Sequence, residues 1–373
     1  MKNKALAPIV AFSAMFSVSI TLIACPIKAV EYGIRLEILG VFPMIGSLLH
    51  VLIRPITSAV SDKLGRKIII LISLFMLFLG SLLYALVYHP LLLILSYTIS
   101  ALGFGLIWGP LTALSVESYR RESRGVSLTQ SSAFFGNFLG TLSSGFLYQI
   151  LGLDNTLFFS AAISFFTFWV SLFLTETLHE KVSIRIGFIS ALRSSLKTFK
   201  RVNSLGLRAV MRIYGPPLLI YSGLNPELVG VLMMADPLIS GVMQFVSSTL
   251  YEKGFYRLEE LNILANIFSM LFLMSATMSA WATLIFLVAY SVSSSLLITA
   301  EQSKLARAEL GRASKIAGYD VATALSRTLS SATISATATI LSIEISFLIT
   351  GGVFSFLSLL SILSRSQRYG EDS

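Results

Sequence analysis

The chain has 373 residues, of which 55% are hydrophobic and 13% are charged, about half the charged share of a soluble domain. Apolar runs of about 18 to 25 residues recur throughout, and each can cross a hydrocarbon core of ~30 Å, so we exclude a soluble globular protein. The net charge of +9 could suggest nucleic-acid binding, but the basic residues lie in short loops, where membrane orientation accounts for them.

The first apolar run has two interpretations. MKNK followed by an apolar stretch ending in LIAC loosely resembles a signal peptide with a lipoprotein cleavage box at Cys25. We favour a retained first helix with a small buried thiol, because the internal repeat described below requires that helix. Cys25 is the single cysteine, so no disulfide can form within the chain.

The apolar runs predict an all-α integral membrane protein with about twelve spanning helices. The approximate ranges are 6–27, 36–60, 68–88, 91–117, 126–150, 156–175, 205–223, 227–250, 260–277, 281–303, 316–340 and 343–363. Helix 7 is the weakest of these predictions because it is short and contains Arg208, Arg212 and two consecutive prolines.

The positions of the Lys and Arg residues predict the orientation. Most of the 28 basic residues lie at the termini or in every second loop, whereas the opposite loops contain only Lys28 and Arg35. This bias predicts that both termini are cytoplasmic, and it favours an even number of helices. We expect a monomeric multi-pass protein of the plasma membrane.

A weak internal repeat divides the chain into two halves. TLSSG at 141–145 is matched by TLSSA at 328–332. Two six-helix halves with a site between them form a transporter architecture. The predicted units are an N-terminal half at 1–175, a cytoplasmic linker at 176–204 and a C-terminal half at 205–373.

The linker contains a predicted amphipathic helix. Its apolar face consists of Phe188, Ile189, Leu192, Leu196 and Phe199, and its other faces carry Arg193, Lys197, Lys200 and Arg201. We expect this helix to lie on the inner membrane surface against anionic lipid. A solvated tether without fixed structure is the alternative.

The stretch RPITSAVSDKLGRK at 54–67 combines small, acidic and basic residues at a specific spacing. The residues that define the spacing are Ser58, Asp62, Lys63, Gly65, Arg66 and Lys67. This pattern resembles the signature between helices 2 and 3 of the major facilitator superfamily, in which glycine is usual at the position of Ser58. Arg54, which precedes a proline, is similar to the drug- and sugar-efflux branches of that family.

Other segments carry the same resemblance over essentially the whole chain. Glu117 followed by Arg124-Gly125 resembles the end of helix 4, and LTETLHE at 174–180 resembles the end of helix 6. Ile99 stands where the family frequently has an arginine in helix 4. The proton-coupling role often given to that arginine is therefore not expected here.

Three glycines in helix 5 have a spacing that permits close helix packing. They are Gly136, Gly140 and Gly145. They resemble the glycines of the family's antiporter signature, although Thr141 replaces its proline. We weigh two roles equally: a hinge or tight contact with helix 8 of the other half that blocks leak, and simple packing.

The resemblance implies a latch on the cytoplasmic side. Asp62 would face the start of helix 11, where free N–H groups and the helix dipole stabilise a carboxylate. Arg66 would pair with Glu117, and Gly65 would permit a tight turn. We interpret these residues, together with Lys67, as a gating latch that holds the two halves shut; a solvated, positively charged turn is the alternative.

Ionisable residues inside the predicted helices are candidates for substrate or proton binding, because burying them in a membrane is costly. The candidates are Asp236, Arg327, Asp320, His50 and Arg54. Asp236 lies near the middle of helix 8 and could carry a proton or form a structural pair. Arg327 could bind a substrate anion or pair with an acid, and it shares a helix face with Asp320.

More ordinary roles compete for the other ionisable residues. A packing role is favoured for His50. Arg54 is expected to snorkel to the inner interface or support the latch, with a cavity-facing position as the alternative. Snorkelling is also favoured for Arg208 and Arg212.

The resemblance favours a secondary transporter that exports a small organic solute by alternating access, with protons as a possible coupling ion. The alternatives are a uniport or uptake facilitator for a sugar-like or anionic solute, and a non-transporting receptor or scaffold on the same fold. An enzyme is disfavoured because the three histidines are scattered and neither a metal-binding spacing nor a phosphate-binding loop occurs. We expect no cofactor, no metal and no nucleic-acid partner.

Overall fold

The computed structural model describes most of the chain. The described residues are 2–32, 41–119, 121–178, 183–208, 211, 223–224, 226–254, 257–276, 280–307, 312–338, 341 and 343–370. Within these ranges the regular structure is entirely helical and contains no strand. The predicted all-α class is therefore confirmed.

Twelve α-helices occupy the described residues. They are α1 (Lys2–Glu31), α2 (Val41–Leu64), α3 (Arg66–Leu86), α4 (Pro90–Ser118), α5 (Glu122–Leu151), α6 (Leu153–Ser171), α7 (Ile184–Val202), α8 (Pro226–Glu252), α9 (Leu258–Ala276), α10 (Ala280–Ala306), α11 (Arg312–Ala338) and α12 (Ile343–Gly370). A short 3-10 helix, Asn203–Gly206, follows α7. The helix predicted at 205–223 lies mainly outside the described residues, and α7 falls in the predicted linker.

Five helical segments in the described ranges are long and apolar enough to cross a membrane by length and composition alone. They are Asn3–Leu22, Arg66–Leu86, Pro90–Ser118, Leu153–Ser171 and Trp281–Ala306. Large apolar side chains such as Ile72, Phe75 and Phe166 are exposed on α3 and α6. Contiguous apolar surface of this kind is unusual on a soluble monomer and is typical of helices that face lipid.

The chain forms two compact units. Unit 1 comprises Met1–Arg193 and Gln302–Val321, and unit 2 comprises Ser194–Glu301 and Ala322–Ser373. The unit boundaries therefore fall within α7, α10 and α11. In unit 1, α1 packs against α5 and α6, and α3 packs against α4 and α6. In unit 2, α9 packs against α12.

The core of unit 1 is built from small and branched apolar side chains. Ala7, Val10, Ala11 and Ala14 follow one face of α1, and Leu74 of α3 packs in the same cluster. Small residues on α1 let the neighbouring helix backbones approach closely. The same cluster contains Ile70 of α3 and Leu114 of α4, so it packs the helices that carry Arg66 and Glu117.

Candidate functional site

The carboxylate of Asp62 lies at the C-terminal end of α2 and is fully buried. It accepts hydrogen bonds from the backbone N–H of Ser314, at 2.9 Å, and of Ala313, at 3.3 Å. The hydroxyl of Ser314 also donates to it. The first N–H groups of a helix have no partner within the helix, and the dipole favours an anion there. Asp62 therefore caps the N-terminus of α11 within unit 1.

The guanidinium of Arg66 joins the buried Asp62 and the partly buried Glu117. Its Nη1 contacts the carboxylate of Asp62, and its Nη2 donates to Oε1 of Glu117 at 3.0 Å. Oε1 of Glu117 is also 3.9 Å from Nη1 of Arg312, and its Oε2 accepts from the hydroxyl of Thr177. Because hydrogen bonds between charged groups are the strong ones, this arrangement links α2, α4 and the start of α11.

Another charged group, Glu176, caps the N-terminus of α3. Its carboxylate accepts the backbone N–H groups of Arg66 and Lys67, each at 3.0 Å, and those of Thr177 and Leu178. Partial burial would raise the pKa of Glu176, but these four N–H donors hold its pKa below the usual value. The ammonium of Lys67 donates to the carbonyl of Leu172 at 2.7 Å. The segment after α6 is thereby attached to the start of α3.

Gly65 makes the turn between α2 and α3 possible. Its φ of 122° and ψ of 154° lie in a region that is essentially restricted to glycine. A Cβ at this position would also lie nearer than 3.0 Å to Oε2 of Glu176. The glycine therefore lets the carboxylate reach the first N–H groups of α3.

The structure thus brings together all five residues predicted for the latch. Two further residues, Glu176 and Ser314, contact them but were not identified as functional from the sequence. We call the charged latch residues and these two the α2–α3 cluster: Asp62, Arg66, Lys67, Glu117, Glu176 and Ser314. Glu176 was not identified because a carboxylate that caps a helix more than a hundred residues away has no local signature. The resemblance at 174–180 was the available signal.

Arg54 and Asp320 lie side by side in unit 1. Nη1 of Arg54 donates to the backbone carbonyl of Asp320 at 3.2 Å and lies 3.9 Å from its Oδ1. Both side chains are buried, so Arg54 extends towards α11 and not towards solvent. The snorkelling prediction for Arg54 is therefore corrected: a nearby carboxylate and carbonyl provide a partner for the charge inside the protein.

His50 is packed against α4. Its Nε2 lies 3.0 Å from the carbonyl oxygen of Ala101, and its ring centroid lies 5.5 Å from that of Phe104. The side chain is buried. This geometry is that of a histidine held in the helix interface, which is the role favoured from the sequence.

The helix 5 glycines approach α1. A Cβ at Gly136 or at Gly140 would lie nearer than 3.0 Å to the carbonyl oxygen of Phe12 or of Phe16, respectively. The atoms nearest to these two positions thus belong to α1, and glycine lets the two backbones come this close. The contact with helix 8, which was one of the two roles considered, stays a prediction. Gly145 lies in α5, and its surroundings fall outside what the structure describes.

Unit 2 contains a buried ion pair between Arg208 and Asp236. Nη2 of Arg208 donates to Oδ1 of Asp236 at 2.8 Å, and both side chains are buried. The guanidinium carbon lies 5.5 Å from the ring centroid of Tyr290, within the range of a cation–π contact. The snorkelling prediction for Arg208 is therefore corrected, since an acid on α8 holds its charge inside the unit.

Three serine hydroxyls form further hydrogen bonds with this pair. Arg208 donates to Ser240 at 2.7 Å and to Ser294 at 3.1 Å, while the hydroxyl of Ser291 donates to Asp236 at 2.8 Å. These five residues, from three segments of the chain, form what we call the Arg208–Asp236 network. Sequence reasoning identified the acid and the base separately but did not identify the serines.

Two further basic residues were considered in the C-terminal half, Arg327 and Arg212. Arg327 is half-buried in α11 and belongs to unit 2. Arg212 lies outside the described residues. The anion-binding role of Arg327 stays a prediction.

A second ion pair in unit 2, formed by a buried acid and a partly buried arginine, was not predicted. Glu301, near the end of α10, is fully buried and accepts hydrogen bonds from Nη1 of Arg201 at 2.8 Å and 3.1 Å. The hydroxyl of Thr198 lies 3.3 Å from the same carboxylate. Both partners are on α7, so this ion pair attaches the linker helix to α10.

The chain is similar in sequence and in fold to known membrane transporters. The family model of the Major Facilitator Superfamily matches residues 9–318. An uncharacterized MFS-type transporter of Methanocaldococcus jannaschii is 31% identical over 138 residues, which is 36% of this chain and 36% of that protein. The matched region thus spans about a third of this relative. The crystal structure of the human organic anion transporter MFSD10 (TETRAN) matches with a TM-score of 0.76 and 16% identity, over 96% of this chain and 98% of that chain.

The structural match and the family match together confirm the predicted fold. The likeness to the human transporter is at the level of the fold, because the sequence identity is low. The family match covers most of the chain, and the apolar helices are those of a multi-pass membrane protein. The chain therefore belongs to the major facilitator superfamily, a family of membrane transporters.

Proposed function

We propose that the protein is a secondary transporter that exports a small organic solute across the plasma membrane by alternating access. The observation that carries this proposal is the burial of Asp62 against the first N–H groups of α11. Alternating access requires a contact that is complete in one state and broken in another. A buried carboxylate with several hydrogen-bond donors suits this role. Removing its partners costs free energy, so the state with the contact and the state without it differ in energy.

In this proposal the α2–α3 cluster is the cytoplasmic latch. The distribution of Lys and Arg residues supports a cytoplasmic position for both termini and for the basic loops. The closed latch stabilises the state in which the cytoplasmic entrance is shut, and its release begins the return step. The predicted halves, 1–175 and 205–373, are the parts that would rearrange.

The Arg208–Asp236 network is the proposed site of proton coupling. A proton on Asp236 would remove the charge that holds Arg208, so protonation and the position of Arg208 are linked. The sequence has no acidic residue in the middle of its first, fourth or fifth predicted helix. Coupling through a carboxylate therefore falls to the C-terminal half.

A facilitator without proton coupling is the second candidate. Asp236 is already neutralised by Arg208 and receives further donors, as a purely structural pair would. For the solute, organic anions are the first class to test, because the structural neighbour is named as an organic anion transporter and an arginine can bind a carboxylate in two-point geometry.

The test is a flux assay with the purified protein in liposomes, using organic anions and neutral sugars, with and without a pH gradient. We expect solute movement against its gradient when protons move in the opposite direction, and loss of this coupling in Asp236→Asn. Movement that only equilibrates the solute would identify a facilitator. A folded protein that moves none of the solutes would contradict the proposal.

A further inference from the structure

The linker helix α7 has three distinct faces. Gly187, Ala191, Ser194 and Thr198 recur at intervals of three or four residues and are buried against the protein. A second face is apolar and a third is basic. Most of the residues that α7 buries are small or hydroxylic, whereas Ile186, Ile189 and Leu196 are exposed.

The outward position of the apolar residues is the unusual feature. Ile186, Ile189 and Leu196 are 63%, 50% and 71% exposed, respectively. A surface helix in water normally turns its apolar stripe to the core and its polar face to solvent. α7 exposes large apolar residues as well as charged ones, an arrangement typical of a helix at the boundary between a membrane and water.

The basic residues lie on and beside this exposed face. Arg185, Arg193, Lys197 and Lys200 are all exposed, and α7 contains no acidic residue. A surface with this composition attracts anions and repels other basic surfaces. The long side chains of Lys and Arg can keep their charges in the headgroup layer while their stems follow apolar surface.

Specific contacts fix α7 to the protein. In unit 1, a Cβ at Gly187 would lie 2.9 Å from the hydroxyl of Ser314 and 3.0 Å from Cβ of Ala59, so this turn of the helix lies directly on neighbouring residues. In unit 2, the ion pair of Arg201 with buried Glu301 attaches the end of α7. The exposed face therefore belongs to an anchored helix and not to a loose tether.

We propose that the exposed face of α7, defined by Ile186, Ile189, Arg193, Leu196 and Lys197, docks on the headgroups and upper acyl chains of anionic phospholipid. The protein is embedded in a bilayer, so lipid is the partner adjacent to this helix. Apolar side chains on an interfacial helix enter the boundary between headgroups and acyl chains, while its basic residues attract anionic lipid. Charge complementarity selects anionic lipid over neutral lipid.

The experiment uses the full-length protein in nanodiscs of phosphatidylcholine alone or mixed with phosphatidylglycerol. Hydrogen exchange of the α7 amides reports docking, and mass spectrometry of the purified protein reports the bound phosphatidylglycerol. We expect slower exchange and more bound phosphatidylglycerol in the anionic nanodiscs, with both effects reduced by high salt. Soluble glycerol phosphate at the same concentration should give no protection.

Two variants test the basic and apolar residues separately. Arg193→Gln with Lys197→Gln should weaken the preference for anionic lipid by roughly fivefold for each charge removed. Leu196→Asn should reduce protection in the anionic nanodiscs. The matched control is Lys253→Gln with Arg257→Gln, which removes two exposed charges from the turn between α8 and α9 and should preserve the preference.

Several results would overturn the proposal. One is equal hydrogen exchange of the α7 amides in neutral and anionic nanodiscs for the wild-type protein. Another is a control variant that loses as much preference for anionic lipid as the α7 variants do. The third is a wild-type lipid preference in both α7 variants. Unfolding temperatures in neutral nanodiscs show whether a variant is folded. If one α7 variant is unfolded, the other, together with the wild-type comparison, still decides the outcome.

Discussion

The backbone N–H of Ser314 donates a 2.9 Å hydrogen bond to the carboxylate of Asp62, so a side chain at the end of α2 caps the start of α11. The same carboxylate contacts Arg66, whose other terminal nitrogen binds Glu117. One buried acid therefore connects a helix N-terminus with a second acid through a shared guanidinium. The loss of any one of these groups leaves the others without a full set of partners in a largely buried site.

Asp62→Asn tests this dependence. Asparagine keeps the size of the side chain but removes its charge and one acceptor, which leaves Arg66 with Glu117 as its acidic partner. Breaking a buried ion pair on one side costs about 3 kcal/mol or more, so we expect a lower unfolding temperature and faster hydrogen exchange of the amides at 313 and 314. Transport should fall while membrane insertion persists.

The control for Asp62→Asn is Glu260→Gln. Glu260 forms an exposed ion pair with Arg257 at 3.3 Å, and exposed pairs contribute little to stability. We expect this variant to unfold at the wild-type temperature. If Asp62→Asn also unfolds there with unchanged exchange at 313 and 314, the cap is not important for this helix contact.

Gly65→Ala separates backbone strain from the clash with Glu176. Gly65 and Gly152 both have positive φ, at 122° and 78°, in the region that favours glycine. A Cβ at Gly152 would meet nothing within 4 Å, whereas a Cβ at Gly65 would meet the carboxylate of Glu176. We expect Gly152→Ala to cost about 1–3 kcal/mol and Gly65→Ala to cost clearly more, as measured by thermal unfolding. Equal losses would contradict a role for Glu176 in requiring glycine at position 65.

The residues that sequence reasoning located best are those within one short stretch. Asp62, Gly65 and Arg66 are close in sequence, and their spacing alone indicates an acid, a turn and a base at one helix end. Glu176 could not be placed, because its hydrogen bonds to the start of α3 depend on how α6 ends. Pairing of chemically suitable but distant groups is decided by tertiary packing.

The same limit explains the corrections to the buried arginines. Arg208 and Asp236 were each recognised as costly to bury, but nothing in the sequence indicates that one is the partner of the other. For α7, the sequence predicted an amphipathic helix but not which face would meet the protein. Its small residues decide this, because they allow the helix to approach Ala59 and Ser314 closely.

Glu176→Gln should change how stability depends on pH. The pKa of Glu176 is held below its usual value in the folded protein. At a pH above the ordinary pKa of a glutamate, the ionised carboxylate therefore stabilises the folded state. This contribution is lost as the pH falls through the lower folded-state pKa. We expect the difference in unfolding temperature between the wild-type protein and the variant to shrink as the pH falls from about 7 to about 3.5. A difference that is constant over this range would contradict this role.

A double-mutant cycle on Arg208 and Asp236 tests whether the two groups act as one unit. Arg208→Gln or Asp236→Asn alone leaves a buried charge without its counterion, so each should cost about 3–5 kcal/mol. The double variant should cost little more than either single variant, because it leaves no unpaired charge, and the resulting coupling energy is measured by unfolding of the purified protein. The same cycle on the exposed pair Arg257 and Glu260 should give a coupling below about 1 kcal/mol. Additive losses at Arg208 and Asp236 would show that the serines satisfy each charge independently, and a proton on Asp236 could then not release Arg208.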